Sequence, residues 1–124
     1  MIDLSKDIEE LLEDTVRVER SFSKIIQPFP LCTLTVINNS SAAIIDSQER
    51  YSSVTYQLDV WDDKSTPKDC IQISAQVSEG MISVGFKRDA GKLMDNDPSG
   101  LQRFMMQFSG YVDNTNKKIY RGGL

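Results

Sequence analysis

The side chains able to do chemistry in this 124-residue chain are mostly carboxylates, and histidine is missing altogether. Without an imidazole there is no Ser-His or Cys-His nucleophile pair, and the commonest general base at neutral pH is lost. Histidine-containing zinc sites go with it, and Cys32 and Cys70 alone are too few to close a structural one. These two cysteines read as reduced thiols, with a disulfide only if the fold brings them together. There is no Walker-type phosphate loop and no GxGxxG. The acids cluster densely in the first dozen residues and at Asp62-Asp63, both places where solvated charge is expected. Asp95-Asn-Asp-Pro-Ser-Gly100 matches the first six positions of a calcium loop, but Met106 stands where the bidentate glutamate belongs and Pro98 interrupts the ligands. An ordinary polar turn is the better reading. Asn38 and Asn39 each begin an N-x-S sequon, which matters only in a secreted chain. The residues thus point to no catalytic group, no metal and no cofactor, and the chain reads as a non-enzyme.

The totals fit one domain spanning residues 1–124, with 40% hydrophobic and 26% charged residues. No apolar run approaches the ~20 residues of a membrane helix, so no membrane is expected as a partner. The acidic start, Met1-Ile-Asp-Leu-Ser-Lys-Asp, is unlike a secretory signal, and cytosolic synthesis is the expectation. The net charge of −4 is unevenly spread: residues 1–86 hold 14 acids and 7 bases, whereas residues 87–124 hold 4 acids and 7 bases. A nucleic-acid grip would show as a basic stripe. A polarised assembly surface explains the modest basic excess better.

Periodicity gives the elements. Leu4, Ile8, Leu11 and Leu12 recur at helical spacing, so Asp3 to Thr15 reads as a helix capped by Asp3 or Ser5, with an acidic outer face. Val16 to Phe22 reads as a short edge strand, Gln27-Pro-Phe-Pro30 as a break, and Leu31 to Ile37 as a strand. Asn38-Asn-Ser-Ser-Ala-Ala43 reads as a loop, with Ile44 and Ile45 starting an arm toward Tyr51. Tyr51 to Trp61 alternates most cleanly: Val54, Tyr56, Leu58 and Val60 point one way, Thr55, Gln57 and Asp59 the other. Ser65 or Thr66 should cap a second helix with Pro67 near its first position. Cys70, Ile73, Val77, Met81 and Val84 form its apolar stripe, and Gly85 ends it. Phe86 to Met94 can form a short strand, although Lys87–Gly100 also reads as a long loop. Arg103 to Val112 is a strong strand, and Asp113-Asn-Thr-Asn116 turns into Lys117–Arg121. The sum is an α+β fold: a mostly antiparallel sheet of four to five strands with two helices packed against it.

This order resembles a family of small phage proteins, the tail terminator or tail completion proteins of long-tailed phages with non-contractile tails, also described as minor capsid or head-tail joining proteins. The pieces that carry the resemblance are Val54-Thr-Tyr-Gln-Leu-Asp-Val-Trp61, the helix to Gly85, Gly85-Phe-Lys-Arg88, the stretch to Gly100, Arg103 to Gly110, Val112-Asp and Ile119-Tyr-Arg-Gly122. The resemblance implies a virion protein made in the bacterial host cytoplasm. Six copies would form a ring on the head-proximal end of the tail tube, with the tube protein and the head connector or stopper as partners. DNA would pass through the ring without specific binding. Trp61, Lys87, Arg88, Tyr120 and Arg121 are the expected interface residues, and the regions 38–50 and 87–100 the expected contact loops. A stopper or adaptor of the same junction, or a small cellular α+β binding module, are the competing readings.

Overall fold

The computed structural model describes residues 2–20, 28–95 and 97–121. Its elements are α1 (Ser5–Leu12), β1 (Arg17–Glu19), β2 (Leu31–Ile45), β3 (Gln48–Asp62), α2 (Lys68–Ser83), β4 (Lys87–Met94), β5 (Gln102–Asp113) and β6 (Ile119–Tyr120). The strands form one six-stranded sheet in the order β1-β2-β3-β5-β4, with β6 continuing the β4 side of β5. This corrects the expected mostly antiparallel sheet of four to five strands. The sheet is mixed, because β1 runs parallel to β2, and strand makes up 49% of the structure. β1 and β6 hold three and two residues, too few for an alternating pattern to reveal their pairing. No helix among the described residues is long and apolar enough to cross a membrane.

The alternation in β3 sets the core. Tyr56 pairs with Phe108, Leu58 with Met106 and Val60 with Phe104. Paired residues share a face, so these side chains form one apolar surface under the helices. Ile8 and Leu12 of α1 and Cys70, Val77 and Met81 of α2 close over it. The helices approach closely at Gly80, where a Cβ would lie 3.0 Å from the Leu12 Cδ2 atom. Tyr56 ties α1 to the sheet as well: its hydroxyl accepts a hydrogen bond from the Leu4 backbone N–H at 3.1 Å, in a buried position. Not all of the expected stripe is buried, since Val84 and Leu11 turn outward.

Local signals explain the helix ends. The Asp3 carboxylate accepts from the Ser5 N–H at 2.9 Å at the start of α1. At α2, by contrast, Pro67 is the cap position and neither Ser65 nor Thr66 caps it with a side chain. The α2 C-terminus closes as a Schellman motif: the Phe86 N–H donates to the Met81 carbonyl and the Gly85 N–H to that of Ile82, with Gly85 at φ +115°. Cys32 and Cys70 are both buried and free. Cys32 pairs in register with Val60, and the Cys70 thiol donates to the Val60 carbonyl at 3.3 Å. Burial, followed by the nearby Asp62 charge, raises the Cys70 pKa to about 11.

The two expected loops are also corrected. Asn38 to Arg50 is a hairpin, since β2 and β3 pair from Leu31↔Trp61 out to Ile45↔Gln48. Asp46 and Ser47, at φ 51° and 63°, close it with the left-handed pair of a type I′ turn. Most of Lys87–Gly100 is β4, which pairs with β5 through a bulge between Arg88 and Ala90. The expected first strand continued to Phe22, but residues 21–27 lie outside the described residues.

Candidate assembly interface

The β2–β3 hairpin outruns the sheet that supports it. β5 accompanies β3 only as far as Tyr51, and β1 accompanies β2 only over residues 31–33. Beyond that lies a two-stranded ribbon, a structure marginally stable by itself in water. Its base is clamped by Asn114. The Asn114 backbone N–H donates to the Arg50 carbonyl at 2.9 Å, its side-chain amide donates to the Glu49 carbonyl at 3.1 Å, and its Oδ1 accepts from the Ser52 hydroxyl at 2.8 Å. β2 carries Val36, Ile37, Ile44 and Ile45 in exposed positions, with Ile44 67% and Ile45 53% exposed near the tip. Its fifteen residues include no charge and no proline. Those are the devices that normally keep an edge strand from pairing, and here only bulges remain.

The sheet face away from the helices has a different character. Arg103 donates from Nε to Asp59 Oδ1 at 3.1 Å and from Nη1 to Asp97 Oδ1 at 3.3 Å. Its guanidinium lies 4.9 Å from the Trp61 ring centroid, and the Trp61 indole N–H donates to the Thr33 hydroxyl at 2.9 Å. Gln57 adds a donor to the second Asp59 oxygen at 2.9 Å, and Gln107 donates to Gln57 at 3.1 Å. Asp97 also organises the turn before β5, accepting from the Ser99 hydroxyl and backbone N–H. The Ser99 hydroxyl, with smaller help from the Ser99 N–H and Arg103, holds the Asp97 carboxyl below the usual range. The calcium-like stretch therefore spends its central carboxylate on a turn and an ion pair. Among the described residues no cluster of three or more Cys, Asp or Glu could hold a metal ion.

The five residues expected at an interface fall in separate places. Trp61 is only 7% exposed and supports Arg103. Lys87 and Arg88 are neighbours on β4 and therefore point to opposite faces. Lys87 is exposed and lies 3.9 Å from Asp89. Arg88 reaches across the helix face to the Ser78 hydroxyl at 3.4 Å. Arg121 donates to the Ile82 carbonyl at 3.2 Å, a cation at the negative end of α2. Tyr120 stays at the rim with the Lys118 ammonium 5.4 Å from its ring centroid. Trp61 and Lys87 face β5 at Arg103 and Ser109, six residues apart, or ~20 Å along a strand. The arm expected from Ile44 and Ile45 is there, as the tip of a longer hairpin whose residues 38–43 were read as a loop. Its signal was Ile44-Ile45-Asp46-Ser47, two apolar residues leading into a turn pair.

A second apolar feature lies on the helix side. A groove of about 480 Å³ runs between α1, the end of α2 and the β5–β6 turn, lined by Leu4, Ile8, Leu11, Val84, Phe86 and Ile119. α1 contributes Asp7 and Glu10 to its wall, and the turn contributes Lys117 and Lys118. Lys117 pairs with Asp7 at 3.3 Å. A scan against protein-family models gave no match for this chain, and a search of curated protein sequences gave none either.

Proposed function

We propose that this chain is a structural assembly subunit, a tail-terminator-like ring protein that caps the head-proximal end of a phage tail tube and joins it to the head connector. The observation that carries the assembly part is β2: Val36 and Ile37 lie exposed where the strand is still backed by the sheet, and the β2–β3 arm takes Ile44 and Ile45 past the folded core into water. Apolar side chains gathered on one projecting element mark an interaction surface. The phage part rests on the sequence resemblance from Val54 to Gly122. In this reading the chain is no enzyme and takes no cofactor. The acidic balance of residues 1–86 and the basic balance of residues 87–124 supply opposite patches for a head-to-tail interface, which closes into a ring when the rotation permits. DNA passes the overall acidic ring without being gripped.

The test is electron microscopy of lysates from a phage or prophage carrying a stop codon in this gene. Filled heads beside overlong or ragged tails are the expected result. Tails of normal length that fail to join heads would move the role to joining. Intact infectious particles would overturn the reading.

A further inference from the structure

We propose that the tip of the β2–β3 arm docks into the α1/α2 groove of a second copy of this chain; this deepens the assembly reading above and rests on it. The large exposed hydrophobic residues sort into two groups. Val36, Ile37, Ile44 and Ile45 lie along β2, whereas Leu11 and Val84 line the groove with Tyr120 on the adjoining β6; Ile71 stands apart on α2. Each group is the apolar surface the other lacks. Within one copy the tip does not fill the groove, since Ile44 and Ile45 are more than half exposed and Leu11 and Val84 are also open. The Asn114 clamp fixes the ribbon at its base, so the tip is held out from its own core.

Charge favours the same pairing. The tip turn carries Asp46, with Glu49 three residues on, and the β5–β6 turn beside the groove carries Lys117 and Lys118. Lys117 is already engaged by Asp7, and Lys118 lies over Tyr120 at the rim, where an incoming carboxylate can meet it. The Asp7 and Glu10 carboxylates of α1 repel the acid of the tip, which directs Asp46 to the lysine side of the groove. Where each tip enters a copy other than the one whose tip fills its own groove, the pairing is heterologous, the kind that builds closed rings.

The experiment uses two full chains, one with Ile45→Cys and one with Val84→Cys, mixed under mild oxidation. The native thiols Cys32 and Cys70 are fully buried and stay out of the reaction. The expected result is disulfide-linked species forming at least about tenfold faster than when Ile45→Cys is mixed with Ile71→Cys, a control of similar exposure on α2. Equal rates would overturn the docking. A second variant, Ile44→Asp with Ile45→Asp, should keep the wild-type Tm and weaken self-association in sedimentation by about tenfold or more, because two isoleucines lose their buried seat. Association of unchanged strength would overturn the docking but leave the assembly reading standing. A wild-type chain that does not associate, together with cysteine variants that do not cross-link, overturns the docking, and the lysate microscopy then decides the assembly reading separately.

Discussion

Replacing Arg103 with Met tests whether the cluster on the helix-free face is a coupled unit. The Asp59 side chain is 5% exposed and the Arg103 side chain 26%. Stranding a buried charge by deleting its partner costs about 3–5 kcal/mol. Two features lower that figure. Water reaches about a quarter of the Arg103 side chain, and Gln57 still donates to Asp59 at 2.9 Å. Loss of the guanidinium from the Trp61 ring adds back about 0.5–1 kcal/mol. The expected cost of Arg103→Met is therefore about 2–3 kcal/mol, or a Tm lower by about 10 °C at this chain length. Asp59→Asn should cost less, about 1–2 kcal/mol, because Arg103 keeps Asp97 at 3.3 Å and the Trp61 ring. Both changes remove one interaction, so the double variant should be less destabilised than the sum by at least about 1 kcal/mol. Urea unfolding of the four proteins at neutral pH and fixed salt measures this directly. Single effects that add to within about 0.5 kcal/mol would refute the coupling and reduce the cluster to independent surface contacts.

Tyr56→Phe keeps the ring and its edge-on contact with Phe86 but leaves the Leu4 N–H buried without an acceptor. It should cost about 1–3 kcal/mol, with faster amide exchange across α1, and wild-type exchange rates would contradict it. Gly85→Ala combines a left-handed φ of 115° with a Cβ that would collide with the Ile119 carbonyl oxygen, and should destabilise by at least about 2 kcal/mol in a thermal melt. The Asp97 pKa is lowered in the folded state, so its contribution is present above the unfolded carboxylate pKa of about 4 and fades as pH falls through its folded value. Ser99→Ala removes the largest cause of that lowering. Its destabilisation should therefore be larger at neutral pH than in acid, where only the lost acceptor for the Leu101 N–H remains, and a pH-independent difference in urea midpoints would contradict the assignment.

Some parts of this molecule were written locally. The alternation from Val54 to Val60 already told which side of β3 would be buried, because a half-buried strand must repeat every two residues. The 3–4 spacing of Cys70, Ile73, Val77 and Met81 did the same for α2, and Gly85 marked its end through a backbone angle that other residues resist. The candidate site was less legible. Arg103 gave no sign of its importance, since Asp59 and Asp97, its partners, meet it only after β3, β5 and the preceding turn are assembled.

What the sequence by itself determined is thus the core face of β3 and α2, together with the missing imidazole chemistry. Only the tertiary structure decided the rest. Asn38 to Ser41 looked like a loop because β2 runs there as an edge strand with side chains largely exposed on both faces, so no alternation is required of it. Its strand character comes from backbone pairing with Ser52 to Thr55, a partner more than ten residues away. The parallel course of β1 beside β2 has the same origin: three residues carry no period, and their place was set by the sheet edge left open next to them.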